Sequence, residues 1–299
     1  MAVHNTKMQS LIEEEVSKVK GTSIPVRAGR LERLFVRKVK CSKLHPNPND
    51  EFCFPEIGPN EGIVSGYEKE FRRIKADGIA KGFDTSSALA PLIVQKIQPD
   101  GYMILNGHHR WIAAIRAGIS QLQIRIVNLT QEKDIRKMLK HSRHDKRITL
   151  DLDEVVFSDG KVEITEKPLA FPFNRIYRQR IRMGIPALFS YSVSAGYDIW
   201  LYCSGYESMD YVRDLLKLYH APVTGIITGA ARKMPKDSKA REDFEALMNS
   251  KYHRTIHAEN DIVLCIDSIN KEYKEFPLNK SGIWSAEIME IIGALEKNE

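Results

Sequence analysis

The sequence lacks the cysteine patterns that mark disulfide scaffolds and zinc sites. Its 299 residues include four cysteines, at positions 41, 53, 203 and 265, and no two of them form a C-x-x-C pair. No spacing of histidine and cysteine resembles a structural zinc site. We therefore expect reduced thiols, as in proteins of a reducing compartment.

Long apolar runs are also missing. No stretch approaches the ~18 residues that a membrane-spanning helix needs. The first thirty residues are polar and charged, which does not fit the apolar core of a signal peptide. These absences predict a cytoplasmic protein that has no membrane partner.

Neither sign of charge is in large excess. The chain has 45 lysines and arginines against 39 acidic residues, which gives a net charge of +6 and a pI near 9.0. The chain therefore does not have the density of positive charge found in a histone-like tail. A small anionic ligand or weak nucleic-acid contact fits this charge better. Because the basic residues are scattered among acids, we favour a nucleotide or a phosphorylated small molecule as the partner. Nucleic acid is the alternative.

The length favours two domains, since domains usually span roughly 100–200 residues. We predict a first domain over 1–130, a charged linker helix over 131–147 and a second domain over 148–299. The charge of the middle segment fits a solvated helix, and a basic surface for nucleic acid is the alternative. In the second domain, strands alternate with helices, which predicts a mostly parallel sheet covered on its faces.

A phosphate-binding pattern lies in the first domain, where Asn106-Gly107-His108-His109-Arg110 joins a predicted strand to a predicted helix. The free N–H groups and the dipole of a helix start attract anions. Gly107 allows close approach of the backbone, and Arg110 can grip phosphate with two donors. The two histidines can donate to phosphate oxygens. The alternative is a plain helix cap with solvent-facing histidines.

This segment resembles the phosphate-binding motif of the ParB/sulfiredoxin superfamily, and the resemblance covers roughly residues 33–130. Sulfiredoxins carry a cysteine in the motif where this chain has His108, and chromosome-partitioning ParB proteins read more like GERR. The GHHR form is most similar to the free-serine kinase branch, which commonly has an acidic residue where this chain has Asn106. The resemblance implies that His108, His109 and Arg110 bind the phosphates of ATP, ADP or CTP.

A phosphotransferase also needs a carboxylate that accepts the substrate proton. The long loop HPNPNDEFCFPEIGPNEG precedes the motif and supplies Glu51 and Glu56. Long loops in compact domains are often functional. We select Glu51 as the candidate by its position alone.

A second candidate site begins at the apolar strand that ends in Asp151 and Asp153. Carboxylates two residues apart at the end of a strand face the same way, and like charges that close call for a cation. Magnesium is the natural choice, because it prefers oxygen ligands. Ligands of open α/β folds also bind at the carboxyl ends of the strands.

The pattern of Asp151 and Asp153 resembles motif I of the haloacid-dehalogenase-like (HAD-like) superfamily, over about residues 148–295. The resemblance implies that Asp151 is the nucleophile and that Asp153 is the general acid/base. Ser204 follows the strand YDIWLYC and would hold the phosphate as motif II. The short interval between motif I and the segment PFNRIYRQRIRMGI predicts no large cap domain.

The remaining HAD-like motifs are less regular. Motif III requires a lysine, for which we select Lys236 over its neighbours Lys233 and Lys239. Motif IV supplies acidic metal ligands after a strand. Glu259 and Asp261 would therefore complete the magnesium site with Asp151 and Asp153, and Asp267 is another candidate.

Together, these features predict an α/β protein with an N-terminal ParB/sulfiredoxin-like α+β domain and a C-terminal HAD-like Rossmannoid domain. The function that we infer is magnesium-dependent phosphoryl transfer, by a phosphatase or a small-molecule kinase. The alternative is a ParB-like, nucleotide-controlled DNA-binding module whose HAD-like domain is a non-catalytic scaffold. Fold alone does not decide between them.

Overall fold

The computed structural model describes residues 2–77, 90–158, 164–229, 246–279 and 283–297. The chain divides into two compact units, Met1–Asn128 and Leu129–Glu299. Both units mix helices and strands, as the α/β prediction requires.

The first unit is built on a six-stranded mixed sheet with the order β2-β6-β4-β5-β3, in which β1 pairs with β4. β4 pairs antiparallel with β5 and parallel with β6, and β3 runs parallel to β5. The elements are α1 (Ala2–Val19), β1 (Ile24–Pro25), α2 (Arg30–Leu34), β2 (Arg37–Lys40), β3 (Leu44–Pro46), α3 (Glu61–Asp77), β4 (Leu92–Gln98), β5 (Tyr102–Asn106), α4 (His108–Arg116) and β6 (Gln121–Ile126).

The hairpin between β4 and β5 forms where Asp100-Gly101 predicts it. Gly101 has φ +99°, and a Cβ there would lie 2.8 Å from the carbonyl oxygen of Lys43. Only glycine accepts both the left-handed backbone and that contact. The strand β5 is thereby held close to the turn before β3. β5 then leads directly into α4, the helix that begins within the GHHR motif.

The segment 33–44, which its alternating pattern predicts as one strand, is divided in the structure. Its first residues belong to α2, and the strand β2 covers only Arg37–Lys40. The cause is local, because the Glu32 carboxylate accepts the N–H of Gly29 and thereby caps the helix start. Glu32 also pairs with Lys96 at 2.8 Å.

The second unit has a six-stranded sheet with the order β11-β10-β7-β12-β13-β14. The first four strands of that order are parallel, and β13 and β14 join as an antiparallel meander. The strands are β7 (Lys146–Asp151), β8 (Phe157–Ser158), β9 (Arg180–Ile181), β10 (Tyr197–Cys203), β11 (Gly225–Thr228), β12 (Arg254–Ala258), β13 (Ile262–Asp267) and β14 (Glu272–Pro277); β8 and β9 form a separate two-stranded antiparallel sheet.

Helices cover both faces of this sheet. Alternate residues of β10 point to opposite faces, so that Leu201 joins the main core and Trp200 joins a smaller cluster. The main core includes residues of α7, α8 and α9, and the smaller cluster includes residues of α5 and of the helical stretch 246–251. The helices are α5 (Glu132–His141), α6 (Phe173–Ile176), α7 (Ile185–Ser194), α8 (Met209–Leu218) and α9 (Trp284–Lys297).

The charged segment 131–147 forms α5 and the beginning of β7, and both lie within the second unit. α5 is amphipathic and buries Ile135 and Met138 beside Trp200. These apolar residues stand at helical spacing among the charges, so one face of the helix is part of a core.

No helix in the described part of the chain is long and apolar enough to cross a membrane.

Candidate functional sites

The GHHR segment forms the junction that its sequence predicts, because β5 ends at Asn106 and α4 begins at His108. Gly107 is the N-cap, with φ +104°. A Cβ on Gly107 would lie 3.0 Å from a guanidinium nitrogen of Arg110 and 3.0 Å from Leu92 Cγ. The glycine is therefore required both by its backbone angle and by the side chains packed against it.

His108 is 5% exposed. Its ring contacts the loop that precedes α4 in the sequence. Its Nε2 atom accepts the backbone N–H of Asn47 at 3.2 Å, and its ring stacks on Phe52 with centroids 5.2 Å apart. Its Nδ1 atom lies 3.8 Å from a carboxylate oxygen of Asp50. Because Nε2 accepts a hydrogen bond, the ring is neutral and carries its proton on Nδ1.

His109 makes a second contact of the same kind. Its Nε2 atom accepts the backbone N–H of Asn60 at 3.1 Å, and its ring meets Phe52 edge-on. Burial lowers the pKa of His109, although the nearby Asp50 carboxylate acts in the opposite direction. Both rings thus contact the loop through Nε2, and phosphate binding by these histidines stays a prediction.

Arg110 folds back beside Gly107, and its guanidinium donates to the carbonyl oxygen of Ala90. Burial lowers the pKa of Arg110, which remains a cation at any physiological pH. The guanidinium is therefore a positive charge held at the start of α4, where the helix N–H groups also favour an anion.

The loop carboxylate nearest to the histidines is Asp50, which sequence reasoning missed. It caps the short 3₁₀ turn Glu51–Cys53 by accepting the N–H of Phe52 at 3.1 Å, and it faces His108. Glu51 and Glu56 are exposed. The signal in the sequence was an aspartate directly before a turn, which is a common capping position.

The second site lies at the carboxyl end of β7. Asp151 Oδ1 accepts the N–H groups of Asp153 and Glu154, both at 2.7 Å. The chain then makes one wide, π-type turn over Leu152–Val156. Such turns often occur at functional sites, and this one directs the Asp153 carboxylate toward the neighbouring strand.

Asp153 and Ser204 meet at the ends of two adjacent parallel strands, β7 and β10. The Ser204 hydroxyl donates to Asp153 Oδ2 at 3.4 Å, and the N–H of Gly205 donates to the same oxygen at 3.3 Å. Cys203 Sγ lies 3.4 Å from Asp153 Oδ1, and burial raises the pKa of this thiol, so it is not a thiolate. The sequence predicts the partnership of the aspartate and the serine, and the pairing of the two strands accounts for it.

The acidic residues after β12 are arranged differently from the four-ligand set that the sequence predicts. Glu259 pairs with His257 Nε2 at 3.2 Å. Asn260, which sequence reasoning did not single out, donates to the carbonyl oxygen of Glu154 at 3.2 Å and so reaches the π-type turn. Asp261 is exposed. Within the described residues, no three histidine, cysteine or acidic side chains form a group that could hold a metal ion.

Asp267 is not a motif IV ligand, since β13 runs antiparallel to β12 and returns Asp267 to the opposite edge of the sheet. Its register partner is Arg254, whose guanidinium donates to Asp267 Oδ2 at 2.9 Å. Both side chains are buried, so the pair is part of the structure of the sheet. The three candidate motif III lysines, Lys233, Lys236 and Lys239, lie outside the described residues.

Comparisons with known proteins bear on the first unit. The family model of the ParB N-terminal domain matches residues 67–142, which include the GHHR motif. No curated protein sequence matches the chain.

Three solved structures are similar in part. ParB from Caulobacter crescentus, complexed with CTP-γ-S, is 26% identical over 37% of this chain and 55% of the ParB chain, with a TM-score of 0.24. This chain therefore spans about half the length of that ParB chain. The C-terminal domain of the coenzyme A biosynthesis bifunctional protein CoaBC is 14% identical, over 53% of this chain and 99% of the other, with a TM-score of 0.21. A free serine kinase complexed with AMP is 12% identical, over 92% and 87%, with a TM-score of 0.22.

The sequence-based resemblance to ParB proteins, predicted for residues 33–130, is thus confirmed from residue 67 onward, and the family match extends beyond it to residue 142, in a protein of mixed α/β structure. The HAD-like resemblance of the second unit stays a prediction. The region that carries the GHHR motif is similar to the ParB N-terminal domain.

Proposed function

We propose that the protein is a phosphoryl-transfer enzyme whose reaction centre is the Asp151–Asp153–Ser204 site of the second unit. The observation that carries the proposal is the contact between Asp153 and Ser204. It joins two motifs that are 51 residues apart in the sequence, at the carboxyl edge of parallel strands. Ligands of open α/β sheets bind at this edge.

Asp151 is the nucleophile in this proposal. One of its carboxylate oxygens attacks the phosphorus of a phosphomonoester, and the bond from phosphorus to the leaving oxygen breaks. Asp153 donates its proton to that leaving oxygen. Water then attacks the aspartyl-phosphate, Asp153 takes a proton from the water, and inorganic phosphate leaves. The N–H groups of Asp153 and Glu154 hold Asp151 through Oδ1, which fixes the direction of attack.

Magnesium fits the donor set of this site. Asp151 and Asp153 supply oxygen ligands only, and Mg²⁺ is usually held by one or two carboxylates together with substrate phosphates and water. Bound there, the ion would neutralise charge on the phosphoryl oxygens. Ser204 would orient one of those oxygens by turning its hydroxyl hydrogen from Asp153 to that oxygen, and Lys236 would supply a further positive charge.

We assign the first unit to nucleotide binding, with the phosphates at the start of α4. The support is the positive charge of Arg110 at the N-terminal end of α4, where the helix dipole favours an anion, together with the ParB N-terminal family match. ATP, ADP and CTP all carry the phosphate chain that this geometry would hold. His108 and His109 shape the site by fixing the loop.

Phosphorus NMR tests the proposal directly. The full-length protein with Mg²⁺ is incubated with ATP, ADP, CTP and simple phosphomonoesters, and new phosphate or phosphoester signals are followed over time. Asp151→Asn should lower turnover at least about a thousandfold, since it removes the nucleophile. Glu154→Gln removes a charge from the same turn and should leave turnover unchanged. Equal turnover by Asp151→Asn and the native protein would exclude this role for Asp151.

The second candidate function is a nucleotide-controlled DNA-binding module, which the ParB N-terminal family match favours. Binding of duplex DNA that weakens steeply with salt, and that depends on added nucleotide, would support it. In that case, Asp151→Asn would leave the measured activity intact and Arg110→Ala would abolish it.

A further inference from the structure

A basic cavity lies in the second unit, and none of its lining residues belongs to β7 or β10. It has a volume of about 620 Å³, which is within the range of small-molecule sites. It is formed by the segment that leads into β9 and by Tyr219, which directly follows α8. α8 is ten residues and therefore roughly 15 Å long, and Ser204 precedes its other end.

The charged side chains that line the cavity are all basic, although burial raises the pKa of Tyr219 and the nearby Glu166 carboxylate raises it further. The lining includes Arg175, Arg178 and Arg180 and no acidic residue. Arg175 and Arg178 are exposed, so their guanidinium groups can reach a ligand from solvent. Three guanidinium groups around one cavity repel one another, and an anion relieves that repulsion. Arginine pairs grip phosphate through parallel N–H donors.

Hydrogen bonds fix the position of the Arg180 guanidinium. It donates to the Thr165 hydroxyl at 2.7 Å and to the carbonyl oxygen of Glu166 at 3.2 Å. The Glu166 carboxylate accepts the N–H of Gly184 at 2.8 Å. The positive charge of Arg180 is therefore fixed in position before any ligand binds, which lowers the entropic cost of binding.

Aromatic rings also belong to this part of the surface: Tyr177 and Tyr219 line the cavity, and Phe171 stands beside Arg175. Tyr177 is fixed to α8, because its hydroxyl contacts Asp214 at 3.2 Å and its ring lies 5.0 Å from that of Tyr211. Next to the cavity, Phe171 is 72% exposed, and the Arg175 guanidinium lies 5.3 Å from the centre of its ring. An exposed ring beside arginines is the combination with which proteins stack nucleobases and hold their phosphates.

We propose that this cavity binds a nucleotide unit, with its phosphate on Arg175 and Arg178 and its base on the exposed aromatic surface at Phe171. The unit is either a free mononucleotide or one residue of a single-stranded nucleic acid. The cavity is thus a second phosphate-binding site, whose lining includes no residue of the GHHR segment and neither Asp151 nor Asp153. It gives the segment after motif I a role in holding the substrate or a nucleic-acid strand.

Fluorescence anisotropy tests this inference on the full chain. The two probes are a fluorescein-labelled decathymidylate and a fluorescein-labelled AMP, both at low salt, and unlabelled AMP and inorganic phosphate serve as competitors. The protein carries Arg110→Ala, so that binding to the first unit contributes less. Arg175→Ala with Arg178→Ala should weaken binding on the order of tenfold or more and reduce the salt slope by about 1.4. The matched control replaces Arg136 and Arg213, two partly exposed arginines of the same unit.

Each outcome decides a part of the proposal. Loss of affinity in the double variant, with affinity kept in the control, supports it. If the oligonucleotide does not bind but AMP does, and AMP binding depends on these arginines, the ligand is a free mononucleotide. Equal affinity of the double variant and its parent overturns the proposal, as does absence of binding by both probes. Competition by inorganic phosphate that equals competition by AMP overturns the role of Phe171. Arg178→Glu gives a second, single-site variant if the double variant does not fold.

Discussion

The Ser204 hydroxyl donates to the carboxylate of Asp153 across the ends of two adjacent strands, with 3.4 Å between Ser204 Oγ and Asp153 Oδ2. If Ser204 turns this hydrogen to a phosphoryl oxygen when the substrate binds, Ser204→Ala should lower kcat about 10- to 1,000-fold, by analogy with the loss of one oxyanion donor. Ser204→Thr keeps a hydroxyl and should retain most of the activity. Steady-state kinetics on the best substrate of the NMR panel measures both. Equal losses of kcat in Ser204→Ala and Ser204→Thr would indicate that a steric change, and not the loss of the hydroxyl, lowers the activity.

Gly107 determines the stability of the junction before α4. Gly107→Ala should lower the free energy of unfolding by about 1–3 kcal/mol, because alanine is strained at φ +104° and its Cβ meets Leu92. Gly66→Ala is the matched control, since Gly66 lies inside α3 and has open space around its Cα. It should raise stability by about 0.5–1 kcal/mol. Urea denaturation measures the free energy of unfolding of both variants. A lower free energy of unfolding for Gly66→Ala than for the native protein would contradict this account.

His109 should make stability depend on pH. Its folded-state pKa is lowered, so protons bind more tightly to the unfolded chain, and protonation also removes the acceptor for the Asn60 N–H. The contribution of His109 is present above its unfolded pKa, near 6.5, and is lost as the pH falls below that value. Denaturation at pH 5, 6, 7 and 8 should give a flatter profile for His109→Gln than for the native protein. Parallel profiles would show that His109 does not contribute.

Asp267 and Arg254 form a buried pair that should matter for stability and not for catalysis. Burial alone would raise the pKa of Asp267, but the N–H of Asn270 and the Arg254 guanidinium hold it at about 2. Asp267→Ala leaves the buried Arg254 with Glu296, 3.6 Å away, as an acidic partner, and should cost about 1–3 kcal/mol. The native contribution should persist above pH 4 and disappear as the pH falls toward 2. Turnover per folded molecule should not change, and a selective loss of kcat would restore Asp267 as a catalytic candidate.

Local patterns were sufficient to predict the parts of the fold whose causes are local. Asp100-Gly101 marks a hairpin because the turn needs a left-handed residue, and Asn106-Gly107 marks a helix start for the same reason. The pairing of Asp153 with Ser204 could also be predicted, because ends of parallel strands share one edge of a sheet. The sequence does not reveal α2, whose start depends on the contact of Glu32 with Gly29.

Features that depend on contacts between residues far apart in the sequence could not be predicted from the sequence. The role of Asp267 depends on the antiparallel return of β13, which hydrophobic pattern alone does not specify. Likewise, the histidines of GHHR look like phosphate donors until the loop that contains Asn47 and Asn60 folds over them. The position of Asp50 beside His108 also depends on how this loop folds. A basic cavity formed by residues 168–180 with Tyr219 requires a fold before it can be recognised.

The two imidazoles of α4 have a consequence for how the first unit opens. Adjacent residues of one helix turn hold the loop at both of its ends, through the N–H groups of Asn47 and Asn60. Neither amide can exchange its hydrogen with solvent unless that helix turn releases it, so the loop and the start of α4 should open as one cooperative unit. An anion that binds at the start of α4 would therefore slow hydrogen exchange at Asn47 and Asn60, where it makes no contact itself.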